Sequence, residues 1–260
     1  MPLPLSIDEC RALLSAASAE ELPRLIRRFR ADTRKGVIEA IETARRRLKR
    51  LNAESTRLLG LYTMQARLHA EGLVVIAGVD EVGRGALAGP LTAGAVILPI
   101  DAVIPRLNDS KQLTPEVRVE VAAIVRDVAE AICVAHVEPE EIDLFGMTQA
   151  NRLAMRRALD GLGRALDHTL VDGIDGNLGV PFTTVIEGDS KVACIAAASV
   201  VAKVTRDALM RKLDLVHPGY DLARNKGYST ADHLAAIRRL GPSSIHRLSF
   251  APCSDDATLF

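Results

Sequence analysis

The sequence predicts an α/β protein in which helices cover a mixed β-sheet, with a separate helical segment in front. Three observations support this class. Residues 6–71 show helical spacing and no strand-like alternation, whereas β-branched runs alternate with helical patterns in the rest of the chain. The run VACIAAASVVA is apolar all round, as expected for a helix buried on every side. The change of pattern at Glu71-Gly72 divides the chain into a helical extension, 1–71, and a larger domain, 72–260.

The extension is predicted to contain a long amphipathic helix with basic faces. Apolar residues recur at steps of three and four: Val37, Ile41, Ala44, Leu48, Leu51, Leu58 and Tyr62. Residues 1–71 carry 14 Lys and Arg against 9 Asp and Glu, although the whole chain is balanced at 33 of each. This asymmetry favours a surface that faces a polyanion, and an ordinary solvated helix face is the commoner alternative.

The larger domain is predicted to contain strands and helices in mixed order. The expected strands are Leu73–Val79, Leu91–Leu98, Ala131–His136, His168–Val171 and Thr183–Ile186. The expected helices are Pro115–Glu130, Met147–Asp160, Lys191–Leu213 and Ser229–Leu240. Strands followed by alternating helices and strands indicate a sheet with helices packed on it.

Composition points to the cytoplasm. The 4 cysteines are scattered without a Cys-x-x-Cys pair, which excludes a disulfide framework or a zinc site and fits a reducing compartment. The opening MPLPLSIDEC lacks the basic start of a secretory signal, and no apolar run approaches the roughly 20 residues that span a bilayer. We therefore expect a cytoplasmic protein without membrane association, and a monomer.

Two adjacent carboxylates end the first strand-like run, in IAGVDEVGRGALAGPL. Asp80 and Glu81 are costly there without compensation, and a divalent cation such as Mg²⁺ or Mn²⁺ would supply it. A surface turn with solvated carboxylates is the alternative. Because successive strand residues point to opposite faces, the strand must end or bulge at Asp80 if both are to serve one site.

Two further acids follow strand-like runs. Asp172 comes after HTLV, and Asp189 comes after TTVI, where it could also be a plain helix N-cap. Together with Asp80 and Glu81 they predict a four-carboxylate cluster of the kind that holds two metal ions for phosphodiester cleavage. Asp207 competes for the fourth place, but it lies about 27 Å along the same predicted helix from Asp189.

The turn Gly83-Arg84-Gly85 also invites a nucleotide-binding interpretation. A dinucleotide-binding loop requires a helix directly after its glycines, whereas Pro90 and a strand-like run follow here. The neighbouring acids would also repel a phosphate unless a cation lay between them. The pattern therefore disfavours a nucleotide-binding oxidoreductase.

Six blocks of sequence resemble the bacterial ribonuclease HII family. In order they are GVDEVGRGALAGPLTAGAVIL, NDSKQLTPE, LVDG, GDSKVACIAAASVVAKVTRD, HPGYDLARNKGYST and GPSSIHRLSFAP, and the match covers about residues 73–252. The resemblance implies a ribonuclease-H-like fold, with a mixed central sheet flanked by helices and a helical C-terminal portion. It implies an endonuclease that requires Mg²⁺ or Mn²⁺. Such an enzyme hydrolyses the RNA strand of RNA–DNA hybrids and cuts 5′ to single ribonucleotides in duplex DNA, leaving 3′-hydroxyl and 5′-phosphate ends.

The resemblance also assigns roles to residues. It places the metal-binding carboxylates at Asp80, Glu81, Asp172 and Asp189. It places Gly83, Arg84 and Gly85 against the ribonucleotide, where the main chain senses the 2′-hydroxyl and Arg84 adds a phosphate contact. Tyr228 matches the tyrosine that stacks on the next deoxyribose, with Tyr220 as its near neighbour in sequence. Lys111, Lys203 and Ser199 lie in family motifs that order the site or bind phosphate, although Ser199 could simply pack in the helix.

The extension resembles a helical segment of some family members through ADTRKGV, which is associated there with substrate binding. Two alternatives from other classes are left open: a non-catalytic nucleic-acid-binding module and, second, a nucleotide-binding oxidoreductase. In a non-catalytic nucleic-acid-binding module the carboxylates would be structural, and the basic helix would do the binding.

Overall fold

The computed structural model describes residues 5–173, 178–251 and 253–254. Contacts between residues divide the chain into two units, Met1–Leu59 and Gly60–Phe260. The described residues of the first unit form α1 (Ile7–Ala16), α2 (Leu22–Phe29) and α3 (Lys35–Leu61), the last ending just inside the second unit. No helix in the described ranges combines the length and the apolar character that crossing a bilayer requires.

The first unit buries its own apolar core and exposes most of its basic side chains. Its core residues come from all three helices: Cys10, Leu14, Ala17, Leu22, Ile26, Phe29, Val37, Ile41 and Ala44. Arg34 is held inside the unit, because it donates to Asp32 Oδ2 at 2.6 Å and to the carbonyl of Leu5 at 2.9 Å. Arg45, Lys49 and Arg50 of α3 are exposed. The predicted basic face therefore exists on α3, but Arg34 has a structural role.

The second unit contains a five-stranded mixed sheet with helices on both faces. Its strands are β1 (Ile76–Val82), β2 (Leu91–Ile97), β3 (Ala131–Val137), β4 (His168–Asp172) and β5 (Phe182–Val185). Its helices are α4 (Thr63–Ala70), α5 (Pro115–Val128), α6 (Pro139–Asp160), α7 (Gly188–Lys191), α8 (Ala193–Val216), α9 (Leu222–Asn225) and α10 (Ala231–Leu240). The strand order is β3-β2-β1-β4-β5, and only the pairs β1–β4 and β4–β5 are parallel.

The alternation of side chains along β1 assigns the two faces of the sheet. Ala77 and Val79 join the apolar core that α6 closes. A Cβ at Gly78 would collide with the backbone of Cys194 in α8, so α8 lies directly against the even-numbered face. Residues Val192–Ala202 are all buried, which confirms the prediction of a helix enclosed on every side.

Several predicted boundaries differ from the structure. The first strand, predicted over Leu73–Val79, is found at Ile76–Val82. The predicted helix Lys191–Leu213 is two helices, since Val192 takes extended dihedral angles (φ −132°, ψ 125°) between α7 and α8. The helix predicted from Met147 begins earlier, at Pro139, with a break at Gly146. Short-range periodicity located these helices but did not detect the local backbone breaks.

Helix α4 belongs to the second unit. Gln65 is 1% exposed, and its Oε1 accepts a 3.1 Å hydrogen bond from the backbone N–H of Cys194 at the start of α8. The contacts accordingly divide the chain before α4, whereas the sequence pattern changes after it, at Glu71-Gly72. The helical sequence pattern of the extension continues through α4, but α4 makes its contacts with the second unit.

Candidate active site

Three aspartates meet at one end of the sheet. Asp80 lies in β1, Asp172 ends β4, and Asp189 lies in α7 directly after β5. Each offers a carboxylate oxygen within 4.8 Å of those of the other two. We call Asp80, Asp172 and Asp189 the carboxylate cluster. The parallel pairing β1–β4–β5 brings these chain ends to the same edge, which is why residues far apart in sequence converge.

Asp80 is the most deeply buried member of the cluster. It is 4% exposed, and its carboxylate accepts a hydrogen bond from the Ser199 hydroxyl of α8 and a 2.7 Å bond from the N–H of Glu81. Burial, with the charges of Glu81 and Asp172 added, raises the pKa of Asp80 well above its ordinary value. Ser199 also lies 2.9 Å from the Ser110 hydroxyl, so it orders this corner as well as packing in α8.

Glu81 points to the other face of the sheet. Strand β1 continues in regular register to Val82, so it does not end or bulge at Asp80, which was the stated condition for both carboxylates to serve one site. The Glu81 carboxylate accepts a hydrogen bond from Asn151 of α6. Burial raises its pKa, Arg84 opposes the shift, and the charge of Asp172 adds to it. Glu81 thus lies near Asp172 although its side chain leaves the opposite face from Asp80.

Asp172 and Asp189 are held by the segment around α7. The N–H of Gly188 donates to Asp172 Oδ1 at 2.6 Å. Asp189 is 5% exposed, and Lys111 Nζ lies 3.4 Å from its Oδ2. Burial, followed by the charges of Asp109 and Asp172, raises the pKa of Asp189, and Lys111 only partly offsets this. The N-cap interpretation of Asp189 is wrong, because the N-caps of α7 and α8 are Glu187 and Val192.

Asp207 already has cationic partners of its own. Its carboxylate lies 2.8 Å from Lys203 Nζ and 3.7 Å from Arg118 Nη1. Among the described residues, Asp189 and not Asp207 belongs to the carboxylate cluster. Lys203 Nζ also lies 5.7 Å from the centre of the Tyr228 ring, so Lys203 lies beside both Asp207 and the tyrosine.

The two glycines of the Gly83-Arg84-Gly85 turn differ in what requires them. Gly83 has a φ of 88°, and a Cβ there would collide with the buried side chain of Arg206. Gly85 has no such angle, and among the described residues nothing lies within 4 Å of where its Cβ would be. The fold explains Gly83, whereas the open space at Gly85 is available to something outside the chain. Arg84 is mostly exposed and lies 3.9 Å from Glu81.

Tyr228 and Tyr220 have different surroundings. Tyr220 is 7% exposed and donates its hydroxyl to the carbonyl of Gly241 at 2.7 Å, as a core residue does. Tyr228 is half-buried, and its ring lies against Lys203 and Arg206. Of the two tyrosines, Tyr228 has the ring that a ligand can reach.

Two arginines and two histidines are buried near the Gly83-Arg84-Gly85 turn and Tyr228, and the sequence analysis did not name them as candidates. Arg206 and Arg247 are each 0% exposed, as is His233, and His246 is 2% exposed. We call these four residues the arginine–histidine junction. Arg206 donates to the carbonyls of Pro90, Lys226 and Ala88. Arg247 donates to the carbonyls of Gly89 and Arg84.

The motifs TRD and IHRLSF contained Arg206, His246 and Arg247, but nothing local distinguishes a buried arginine from an exposed one. Most of the carbonyls that the two arginines bind lie more than 100 positions earlier in the chain, for example Pro90 for Arg206 and Gly89 for Arg247. Asp109 and Asn151 were missed for the same reason, since their proximity to Asp189 and Glu81 depends on the fold.

The carboxylate cluster fits a hard divalent cation. Its donors are carboxylate oxygens, the ligands that Mg²⁺ and Mn²⁺ prefer. Two of its members, Asp80 and Asp189, are buried, and burial, followed by the charges of neighbouring carboxylates, raises the pKa values of both. Asp80, Asp172 and Asp189 would hold such an ion, with Glu81 close by.

Comparison with known proteins identifies the family. The model described as Ribonuclease HII matches residues 77–253, and the model described as Ribonuclease HII N-terminal domain matches residues 6–69. Ribonuclease HII of Moorella thermoacetica is 49% identical over 198 residues, 76% of this chain and 96% of the relative. Ribonuclease HII of Geobacillus thermodenitrificans is 43% identical over 247 residues, 95% of each chain. The crystal structure of ribonuclease H2 from Pyrococcus horikoshii OT3 matches with a TM-score of 0.60 and 27% identity over 68% of this chain and 94% of that one.

Proposed function

Because the chain belongs to the ribonuclease HII family and is therefore a ribonuclease H, we propose that it also cuts 5′ to single ribonucleotides embedded in duplex DNA. The coarser activity, hydrolysis of the RNA strand of RNA–DNA hybrids, follows from the family. The products we propose are 3′-hydroxyl and 5′-phosphate ends. The observation that carries the proposal is the carboxylate cluster, because three converging aspartates suit metal-assisted phosphodiester hydrolysis.

The metal dependence follows from the same residues. Two divalent ions held at these carboxylates would supply an activated water and stabilise the leaving 3′-oxygen. Asp80, Glu81, Asp172 and Asp189 are the residues that would hold these ions, and Mg²⁺ or Mn²⁺ is the proposed metal. Lys111, whose Nζ is 3.4 Å from Asp189, would neutralise part of the charge and stay close to the scissile phosphate.

Recognition of the ribonucleotide is proposed to depend on the turn and the tyrosine. Gly85 leaves its backbone open to a sugar, which is how a main chain can test for the 2′-hydroxyl that distinguishes RNA from DNA. Arg84 is exposed and available to a phosphate, and Lys203 is available beside Tyr228. The half-buried ring of Tyr228 would lie on the next sugar and favour DNA there, since a 2′-hydroxyl would displace it.

Cleavage of two matched duplexes tests this proposal. One contains a single embedded ribonucleotide and the other a continuous RNA strand, each with Mg²⁺ or Mn²⁺. Tyr228→Ala should lower kcat/KM on the single-ribonucleotide duplex by roughly 10- to 100-fold more than on the hybrid, as expected for about 1–3 kcal/mol of apolar stacking. Tyr228→Phe is the control, because it keeps the ring and removes only the hydroxyl. Equal losses on both duplexes, or no loss on the first, would contradict the role of Tyr228.

We also propose that the helical extension, 1–71, increases affinity for the nucleic acid and leaves the chemistry alone. Arg45, Lys49 and Arg50 are exposed on α3 and suited to pairing with phosphates. Replacing the three with Gln in the full chain should weaken hybrid binding and flatten its dependence on log salt by about 0.9 for each phosphate that is no longer neutralised. The control Glu42→Gln removes an exposed acid from the same helix and should not lower affinity. An unchanged slope and affinity in the triple variant would exclude the role.

A cytoplasmic location and a monomeric state are part of the same proposal. The location is supported by the four cysteines, Cys10, Cys133, Cys194 and Cys253, which are free. Size-exclusion chromatography with light scattering tests the monomer.

A further inference from the structure

The two histidines of the arginine–histidine junction form a hydrogen-bonded pair that continues at both ends. His233 Nε2 lies 3.1 Å from His246 Nε2. At one end, His233 Nδ1 is 2.9 Å from the backbone carbonyl of Tyr228. At the other, His246 Nδ1 is 3.0 Å from the N–H of Ser243 and 2.9 Å from its hydroxyl. The chain of hydrogen bonds therefore leads from Ser243 to Tyr228, whose ring is proposed to lie on the sugar that follows the ribonucleotide.

The groups at the two ends determine where the protons are. A carbonyl can only accept, so His233 Nδ1 carries a hydrogen and donates it to Tyr228. A backbone N–H can only donate, so His246 Nδ1 is unprotonated. In the neutral rings, His246 Nε2–H then donates to the bare Nε2 of His233. Every nitrogen has a matched partner with one hydrogen per ring.

The environment keeps both rings neutral near pH 7. Burial, followed by the proximity of His233, lowers the pKa of His246 to about 4. Burial also lowers the pKa of His233. The Tyr220 ring packs against both imidazoles, with centroid separations of 4.8 Å to His246 and 6.4 Å to His233. The directions of the hydrogen bonds are therefore those of two neutral rings.

The backbone at His246 connects this pair to the Gly83-Arg84-Gly85 turn. His246 forms an isolated β-bridge with Ala88, just after the turn. The N–H of Arg247 donates to the carbonyl of Leu87 at 2.8 Å, and the N–H of Leu87 donates to the carbonyl of Gly227 at 2.7 Å. One side of the pair is thus bonded to the segment directly after the turn, and the other to the backbone of Tyr228.

We propose that His233 and His246 are positioning residues that fix Tyr228 relative to the Gly83-Arg84-Gly85 turn and thereby set the preference for a ribonucleotide followed by DNA. The inference rests on the proposed function, in which the turn reads the ribose and Tyr228 the next sugar. The histidines touch neither sugar themselves. Their contribution is the spacing between the two reading elements, because a buried and fully paired polar network specifies one arrangement where an apolar contact would tolerate several.

A matched pair of substitutions at His246 tests the inference. His246→Leu has a similar volume and removes the donor to His233. His246→Gln retains a donor, because its side-chain amide nitrogen can occupy the position of the imidazole Nε2. Both are compared with wild type on the single-ribonucleotide duplex and the continuous RNA hybrid. His246→Leu should lower the preference for the single-ribonucleotide duplex about tenfold, the equivalent of one hydrogen bond, and His246→Gln should restore most of it. Equal preference in a folded His246→Leu and the wild type would overturn the inference.

Combining His246→Leu with Tyr228→Ala distinguishes a failure of this inference from a failure of the proposed function. If the histidines act through Tyr228, His246→Leu should not reduce the preference further in that background, and a full additional tenfold loss would overturn the inference. No effect of Tyr228→Ala on its own would instead contradict the proposed function.

A measurement on the unaltered protein does not depend on the variants folding. The ¹⁵N–¹H spectra of the histidine side chains should show His233 protonated at Nδ1 and His246 at Nε2, both neutral at pH 7. Any other combination of tautomers would overturn the inference.

Discussion

The carboxylate cluster and the arginine–histidine junction are both groups of buried polar side chains in the second unit. They differ in how far the protein itself supplies partners for those side chains. In the cluster, burial and then the charges of neighbouring carboxylates raise the pKa values of Asp80 and Asp189, and the hydrogen bonds and Lys111 only partly offset this. In the junction, the arginines donate to carbonyls and the histidines pair with each other. Under-compensated buried charge indicates a ligand from outside, whereas a satisfied network indicates a scaffold.

Even the satisfied network has an energetic cost. Burial, with the charge of Arg206 added, lowers the pKa of Arg247 to about 9, and burial lowers that of Arg206 as well. The carbonyls these arginines hold belong to the segment Arg84–Pro90 and to Lys226, which flank the proposed ribose-reading turn and Tyr228. The fold thus retains two costly cations where two loops must keep one conformation.

The largest effect is expected from breaking the carboxylate cluster. Asp172→Asn keeps the size of the side chain and removes one ligand charge, so cleavage with Mg²⁺ or Mn²⁺ should fall by several orders of magnitude, while thermal stability stays the same or rises because repulsion is relieved. Asp207→Asn is the control, since Asp207 pairs with Lys203 and Arg118. Steady-state cleavage rates and thermal melting measure both. If Asp207→Asn lost more activity than Asp189→Asn, the assignment of Asp189 would be wrong.

Removing an arginine from the arginine–histidine junction should lower the free energy of unfolding. Arg206→Met leaves the carbonyls of Pro90, Ala88 and Lys226 without their donors and should lower the free energy of unfolding by about 3–5 kcal/mol. The matched control is Arg224→Met, which breaks only exposed ion pairs with Asp221 and Asp232 and should cost less than about 1 kcal/mol. Denaturant unfolding compares the two variants. Similar losses for both would show that the buried guanidinium contributes no more than a surface one.

Acid should act on the junction through its histidines. The pKa of His246 is about 4 in the folded protein, against 6.5 ordinarily, so the unfolded chain binds more protons below about pH 6.5. The stabilisation is present above that pH and is lost as the pH falls toward 4, by up to about 3 kcal/mol. His233 and His217 are the ionisable groups that act on His246. Unfolding between pH 7 and pH 4 should therefore be less pH-dependent in His246→Leu than in wild type, and the same dependence in both would refute the assignment.

The sequence by itself determined the elements and the type of site. Periods of two and 3.6 in apolar residues are local properties, so the five strands, the buried half of α8 and the α/β class were predictable. Acids that directly follow apolar strands are also visible locally. Asp80, Asp172 and Asp189 could therefore be named, and they lie together in the structure.

The tertiary structure decided everything that depends on register and on distant partners. It placed Asp80 and Glu81 on opposite faces, because β1 continues in regular pairing through both. It separated Gly83, which must make room for Arg206, from Gly85, which faces open space among the described residues. It also joined His246 to His233 and, through His233, to Tyr228. These contacts cannot be predicted from local sequence. Each one forms only when segments that are remote along the chain, or on different elements, pack against each other.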